Sequence, residues 1–285
     1  MATVTSSSHV VEVNGLACRY LQWGDADSPP VLLLHGLRSY ARTWEPVAQT
    51  LSGSHLLIAP DFRGRGESAW DPQRSYRTDT YVSDIEHLVA LLGLERFAIV
   101  GHSMGGTVAY TYAARHPDQV AALVIEDIGP GSSTETSGAT RILSEMADTP
   151  ARFGSLEEVR AYWRGIRPAI TEEALASRIE NTVRPLGDGA FEWRLDMAGI
   201  AEARRNVDST EAADLWSCVD TLRCPTLVVR GARSDFLPAD TCDQMARRQP
   251  LLRWVQVPDA GHYVHDDNPA AFIDLVRGFL AARQP

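Results

Sequence analysis

The sequence predicts an α/β fold with a mostly parallel central sheet flanked by helices and a helical cap inserted between two of the sheet strands. Three observations predict it. Short, continuously apolar, β-rich runs recur along the chain. Apolar residues at helical spacing fill the intervals between them. From about residue 131 to 215 the strand runs stop while helical signals continue. Continuous rather than alternating apolar runs suit strands buried on both faces of a parallel sheet.

In chain order the strand runs are VLLLH (31–35), HLLIAP (55–60), RFAIVG (96–101), AALVIED (121–127), PTLVVRG (225–231) and LRWVQVP (252–258). Tyr81, Ile85, Leu88, Val89 and Leu92 fall at helical spacing between the second and third, and Phe272, Leu275, Val276 and Phe279 do so after the last. In the intervening block, SLEEVRAYWRGI starts with a capping-box pair, Ser155 and Glu158, and TEEALASRIENTV reads as a second helix. The expected organisation is a core of residues 1–130 and 216–285 with a helical cap at 131–215. At 285 residues and 44% hydrophobic content, one large core with an insertion is a natural size.

Composition narrows the function classes. The formal charge of −10 argues against a surface that tracks phosphates, so no nucleic-acid partner is expected. All 27 basic residues are arginine, which reads as the coding bias of a GC-rich bacterial genome and excludes lysine chemistry. The start, MATVTSSSHVVEV, lacks the pattern of a signal peptide, and no apolar stretch approaches membrane-spanning length. A soluble cytoplasmic protein with no membrane partner is the expectation. Cys18, Cys218, Cys224 and Cys242 are too scattered for a disulfide framework and have no histidines at zinc-site spacing. No metal or other cofactor is expected.

The chemistry is carried by VGHSMGGTVAYTYAARHP, residues 100–117, where a strand runs through GHSMGG into a helix with Ser103 at the turn. A nucleophile on so sharp a turn needs near-glycine neighbours two residues to either side, met here by Gly101 and Gly105. The turn lifts the hydroxyl above the strand ends and directs the Met104 N–H at the site of a developing oxyanion. A second donor is expected from Leu37, after His35-Gly36 at the end of the first run. His35 itself is expected to be structural. The base is assigned to His262 in VPDAGHYVHDDNP rather than His265, because Gly261 permits the loop turn and His265 stands near the start of a helix.

Taken together, HG at 35–36, DFRGRGES at 61–68, GHSMGG at 101–106 and GH with a later proline at 261–269 resemble the motifs of α/β-hydrolase-fold enzymes, in family order and over nearly the whole chain apart from the cap. The resemblance implies a serine hydrolase that works through an acyl-enzyme, with Ser103 attacking a carbonyl and His262 moving the proton. It is specific for the fold and barely specific for the substrate. Members with an aspartate nucleophile, the haloalkane dehalogenases and epoxide hydrolases, are excluded by the serine.

The resemblance leaves the third residue open. Many family members place the acid three residues after the glycine of a sequence like RGARSDFLP, where this chain has Ser234, with Asp235 one position later. The other candidate is Asp127 in LVIEDIGP, as in some dehalogenases and a group of bacterial esterases and amide hydrolases. Asp127 is preferred and both stay in the site. Arg38 is expected at the pocket mouth, and Trp163 and Trp193 of the cap as aromatic walls for a small-molecule substrate. A small to medium carboxylic ester is the expected substrate. The alternatives are an amide or acidic substrate, cleavage of a carbon–carbon bond in a vinylogous diketone, or a non-catalytic ligand receptor built on the same fold.

Overall fold

The computed structural model describes residues 4–168, 170–205 and 214–282. Residues 206–213 of the expected cap lie outside the described residues. The chain opens with an antiparallel hairpin, β1 (Ser7–Val13) and β2 (Leu16–Trp23), turned by Asn14 and Gly15, both at positive φ (49° and 76°). That pair is what a two-residue hairpin turn requires. There follow β3 (Pro30–Leu34), a 3₁₀ turn at Ala41–Trp44, α1 (Glu45–Leu51), β4 (Leu56–Pro60), α2 (Thr78–Leu91), β5 (Phe97–His102), α3 (Met104–Arg115) and β6 (Val120–Glu126).

The inserted block comprises α4 (Ser137–Ala147), β7 (Arg152–Phe153), α5 (Leu156–Ile166), α6 (Glu172–Thr182), β8 (Val183–Pro185), β9 (Phe191–Trp193) and α7 (Met197–Arg205). The chain then returns through α8 (Leu215–Thr221), β10 (Thr226–Gly231), α9 (Ala239–Arg248), β11 (Leu252–Val257), α10 (Val264–Asp267) and α11 (Pro269–Ala281). The main sheet has eight strands in the order β1-β2-β4-β3-β5-β6-β10-β11, parallel from β4 to β11. Those six parallel strands are the six apolar runs of the sequence.

Each parallel strand feeds two cores, because successive side chains point to opposite faces. Leu32, Leu34, Ile99, Leu123, Ile125 and Val228 pack with α2 and α3 on one face. Val31, Leu33, Val100, Val124 and Val229 pack with α1 and α11 on the other. No described helix is long and apolar enough to cross a membrane.

The inserted block differs from expectation in two ways. It contains a small antiparallel sheet, ordered β7-β9-β8, whose two- and three-residue strands are too short to show a period in sequence. Its aromatic residues also form a separate core: Phe153, Val159, Trp163, Leu175 and Trp193 cluster together, with Trp163 fully buried. The Trp193 indole N–H donates to the Pro150 carbonyl at 2.7 Å. Trp163 and Trp193 are therefore cap-core residues and do not line the substrate cavity, because burying their area inside a small layer outweighs exposing it to a pocket. The Ser155 cap does form, accepting the Glu158 N–H at 3.2 Å while the Glu158 carboxylate accepts the Gly154 N–H at 2.7 Å.

Candidate active site

Ser103 sits between β5 and α3 with φ 53° and ψ −118°, a conformation that costs a non-glycine residue free energy and that function commonly retains. Close packing of α3 on the sheet is what demands glycine two residues on, since a Cβ at Gly105 would stand 2.2 Å from the Leu34 carbonyl oxygen. His262 Nε2 lies 2.9 Å from Ser103 Oγ, and His262 Nδ1 lies 2.8 Å from Asp127 Oδ2. The carboxylate accepts a hydrogen bond from Nδ1–H, which keeps the proton on Nδ1 and leaves Nε2 free to accept from the serine, the arrangement a general base needs.

Asp127 is fully buried just past the end of β6. It accepts the Gly231 N–H at 3.0 Å and the Ser234 hydroxyl, which in turn accepts the Phe236 and Leu237 N–H groups at 3.1 and 3.2 Å. Ser234, in the slot where the resemblance implies an acid, thus donates to Asp127 at the end of the neighbouring strand. Asp235 makes no hydrogen bond to His262 and is held by Arg141 of α4 through contacts of 2.7 and 3.1 Å. Burial works to raise the Asp235 pKa, and the Arg141 contacts outweigh it to leave the carboxyl below its usual range. The geometry gives Asp235, the second candidate for the acid, the role of a clip between the inserted block and the loop after β10.

Other histidines hold the loop. His102 Nε2 donates to the His262 carbonyl at 2.9 Å, and burial beside His262 and His265 keeps the His102 imidazole far below its usual pKa and neutral. His35 is likewise pushed down to about 3 by burial and bridges the Gly36 carbonyl and the Phe62 N–H, the structural part expected of it. His265 is tied to Glu126 through its backbone N–H and Nδ1, at 2.9 and 2.8 Å, with Nε2 at 3.1 Å from Thr43. His102, Glu126 and His265 do bring donor atoms within 4.8 Å of one another, a set that the sequence did not reveal. Most of those atoms are committed to the hydrogen bonds just given, so the cluster braces the floor beneath the triad.

Burial opposes charge on His265, but Glu126 and Asp266 outweigh it and raise its pKa above 6.5. A group with a raised folded pKa adds stability that is complete below its unfolded pKa and fades as pH rises through the folded one. The stability gap between wild type and His265→Gln, measured by urea unfolding, is therefore expected to be widest near pH 6 and to narrow toward pH 9. A gap that widens with pH would reverse the assignment.

Leu37 and Met104 both face the cavity above Ser103, and neither backbone N–H has an acceptor among the described residues. Gly36 lets the first loop come this near, since a Cβ there would stand 2.7 Å from His102 Nδ1 and 3.5 Å from Ser103 Cβ. Arg65, unremarked in the DFRGRGES segment, lies fully buried behind both residues, donating to the Leu37 carbonyl at 3.2 Å and touching Met104 Sδ at 3.6 Å. Arg38 lines the cavity but is buried rather than exposed at a mouth, paired with Glu145. The Phe236 ring stacks on His262 with centroids 4.0 Å apart. The cavity has a volume of about 580 Å³ and is walled further by Ile142 and Leu143 of α4 and Ile200 and Arg204 of α7. That is the size of a small-molecule site.

Comparison with known proteins agrees with the fold. Residues 31–275 match the model of the "Alpha/beta hydrolase family". The chain is 34% identical over 274 residues to a 3-hydroxybutyrate-oligomer hydrolase of Cupriavidus necator, covering 92% of each chain. It is 31% identical over 254 residues to a 2-(acetamidomethylene)succinate hydrolase of Mesorhizobium japonicum, covering 89% of this chain and 88% of the relative. A crystal structure of E-2-(acetamidomethylene)succinate hydrolase superposes with a TM-score of 0.85 at 28% identity, covering 97% of this chain and all of the other.

Proposed function

The chain belongs to the alpha/beta hydrolase family, and from that premise we propose that it hydrolyses small to medium carboxylic esters with Ser103 as nucleophile, His262 as base and Asp127 as the acid. The observation that carries the reading is the unbroken path from Ser103 Oγ through both nitrogens of His262 to Asp127, open to a cavity of about 580 Å³. Ser103 attacks the ester carbonyl as His262 Nε2 takes its proton. The oxyanion forms toward the Leu37 and Met104 N–H groups, and the imidazolium is stabilised by Asp127. His262 then protonates the departing alcohol, and water activated by the same histidine releases the acid. The groups that act are the three side chains, two backbone N–H groups and water, with the Phe236 ring stacked on the imidazole.

Similarity to a hydrolase named for an acetamido compound keeps an amide as a second substrate type to be tried alongside esters. The test is covalent labelling with a fluorophosphonate, with kinetics on aryl esters of graded chain length, an amide and a vinylogous diketone. Wild type should label at Ser103 and turn over the esters, and Ser103→Ala should do neither. Folded wild type that takes up no label, or an alanine variant that matches it, would end the serine-hydrolase reading.

A further inference from the structure

Among the described residues the charge of the cavity lining is unbalanced. Three arginines among these residues line the cavity, Arg38, Arg77 and Arg204, against one carboxylate, Asp214. Arg38 is paired with Glu145, and Arg77 also has a partner. Asp214 is occupied in capping α8, accepting the Ser217 N–H at 3.1 Å and the Ser217 hydroxyl at 2.7 Å. Arg204 has no hydrogen-bond or ion-pair partner among the described residues, and the ionisable groups that bear on it are Tyr81, Arg65 and Arg38. Behind it, Tyr81 accepts from Arg65 at 2.7 Å, and Arg65 itself is held by carbonyls and this phenol without a carboxylate. Two guanidinium charges therefore bear on one side of the cavity with no acid beside them among the described residues.

Guanidinium does not shed its proton in a protein, so a sheltered one needs a counter-charge from somewhere. Burial, together with the charges of Arg65 and Arg38, holds the Arg204 pKa below the usual arginine value, the direction expected of a guanidinium with no acid beside it among the described residues. The cavity supplies the room for one. Ile142, Leu143 and Ile200 provide apolar walls in the same cavity as Arg204 and Ser103.

We propose that Arg204 docks a free carboxylate of the substrate, which makes the favoured substrates acidic esters carrying a second, unreacting acid group on an apolar chain. The proposal rests on the ester-hydrolase reading and specifies its substrate class. A planar, two-pronged donor suits a carboxylate in particular. The docked acid fixes the position of the chain, so the reacting carbonyl is delivered to Ser103 rather than sampled along the cavity.

The experiment compares matched substrates, 4-nitrophenyl hemiadipate against 4-nitrophenyl hexanoate, which differ only in the terminal carboxylate. Wild type should prefer the acidic ester in kcat/KM. Arg204→Gln should lose on the acidic ester about 30-fold more than on the neutral one, the ratio equivalent to about 2 kcal/mol for truncating one partner of a buried charge pair. The loss should lie mainly in KM, and Arg204→Lys should restore part of the preference. Equal use of both esters by wild type, or parallel losses in Arg204→Gln, would overturn the proposal. A second arm is independent of turnover: adipate should raise the thermal midpoint of wild type and leave that of Arg204→Gln unmoved. If Ser103 proves unreactive, this arm alone decides, and an equal response of the two proteins to adipate overturns the carboxylate site.

Discussion

Asp127→Asn should lower kcat by about 10⁴-fold, the loss seen for the same replacement in another serine triad, while Asp235→Asn should cost about tenfold or less. The hydrogen bonds around Asp127 explain the severity. Its Oδ1 receives the Gly231 N–H, and its Oδ2 receives both the Ser234 hydroxyl and His262 Nδ1. An asparagine must put an NH₂ group at one of those oxygens. Placed at Oδ2 it donates to Nδ1, so the imidazole proton moves to Nε2 and faces Ser103, where no base remains. Placed at Oδ1 it meets the Gly231 N–H donor to donor in a buried site, which is itself costly. Asp235→Asn weakens only the clip to Arg141, and its cost should fall on substrate binding through α4. Steady-state kinetics on both variants, with circular dichroism to establish folding, distinguishes them. The reverse ranking would transfer the acid to Asp235, and two large losses would mean that both carboxylates act on His262.

The sheet and the nucleophile are legible in the sequence because their signals are local. A run such as VLLLH is buried on both faces wherever it lies in a parallel sheet, and GHSMGG needs only its own residues to specify the turn at Ser103. The β1-β2 hairpin is also written locally, in the Asn14-Gly15 turn, but an exposed Val10 blurs the alternation around it and leaves no clear strand period. Trp163 and Trp193 mark the opposite limit. An aromatic residue in a capping layer can face its own core or the cavity, and only the packing of Phe153, Val159 and Leu175 around them decides. Arg65, Arg167, Arg178 and Arg204 gave no signal, since what distinguishes them is the presence or absence of a partner from a distant part of the chain. The choice between Asp127 and Asp235 was open for the same reason: each closes a strand, and the direction of each side chain is a property of the assembled loops.

Asp266→Asn should destabilise the folded protein by about 3–5 kcal/mol, the range for breaking a buried ion pair by removing one charge. Asp266 Oδ2 receives Arg167 and Arg178, at 3.2 Å for the second, and both arginines come from the inserted block. Arg167 also reaches Asp267 at 3.0 Å, and Asp267 accepts the Gly261 N–H at 2.8 Å, directly before His262. The two guanidinium groups lie 4.0 and 5.0 Å from the ring centroid of Tyr263, directly after it. The cap is thus fastened to the loop that carries the proposed base. Burial works to raise the Asp266 pKa, but His265, Arg167 and Arg178 outweigh it and hold the carboxyl far below its usual value. A depressed folded pKa contributes stability that is present above the unfolded value of 3.8 and lost as pH falls through the folded one, so the deficit of the variant should persist across neutral pH and close only in strong acid. Urea unfolding should show a lower midpoint with little change in slope. Asp274→Asn, which removes an exposed pair with Arg277, serves as the control and should leave the midpoint in place. Because the same carboxylates tether the residues flanking His262, the folded Asp266→Asn protein should also turn over esters more slowly, with kcat falling more than KM rises. A midpoint equal to the control's would mean that solvent reaches these arginines and that the cap is held by its apolar contacts alone.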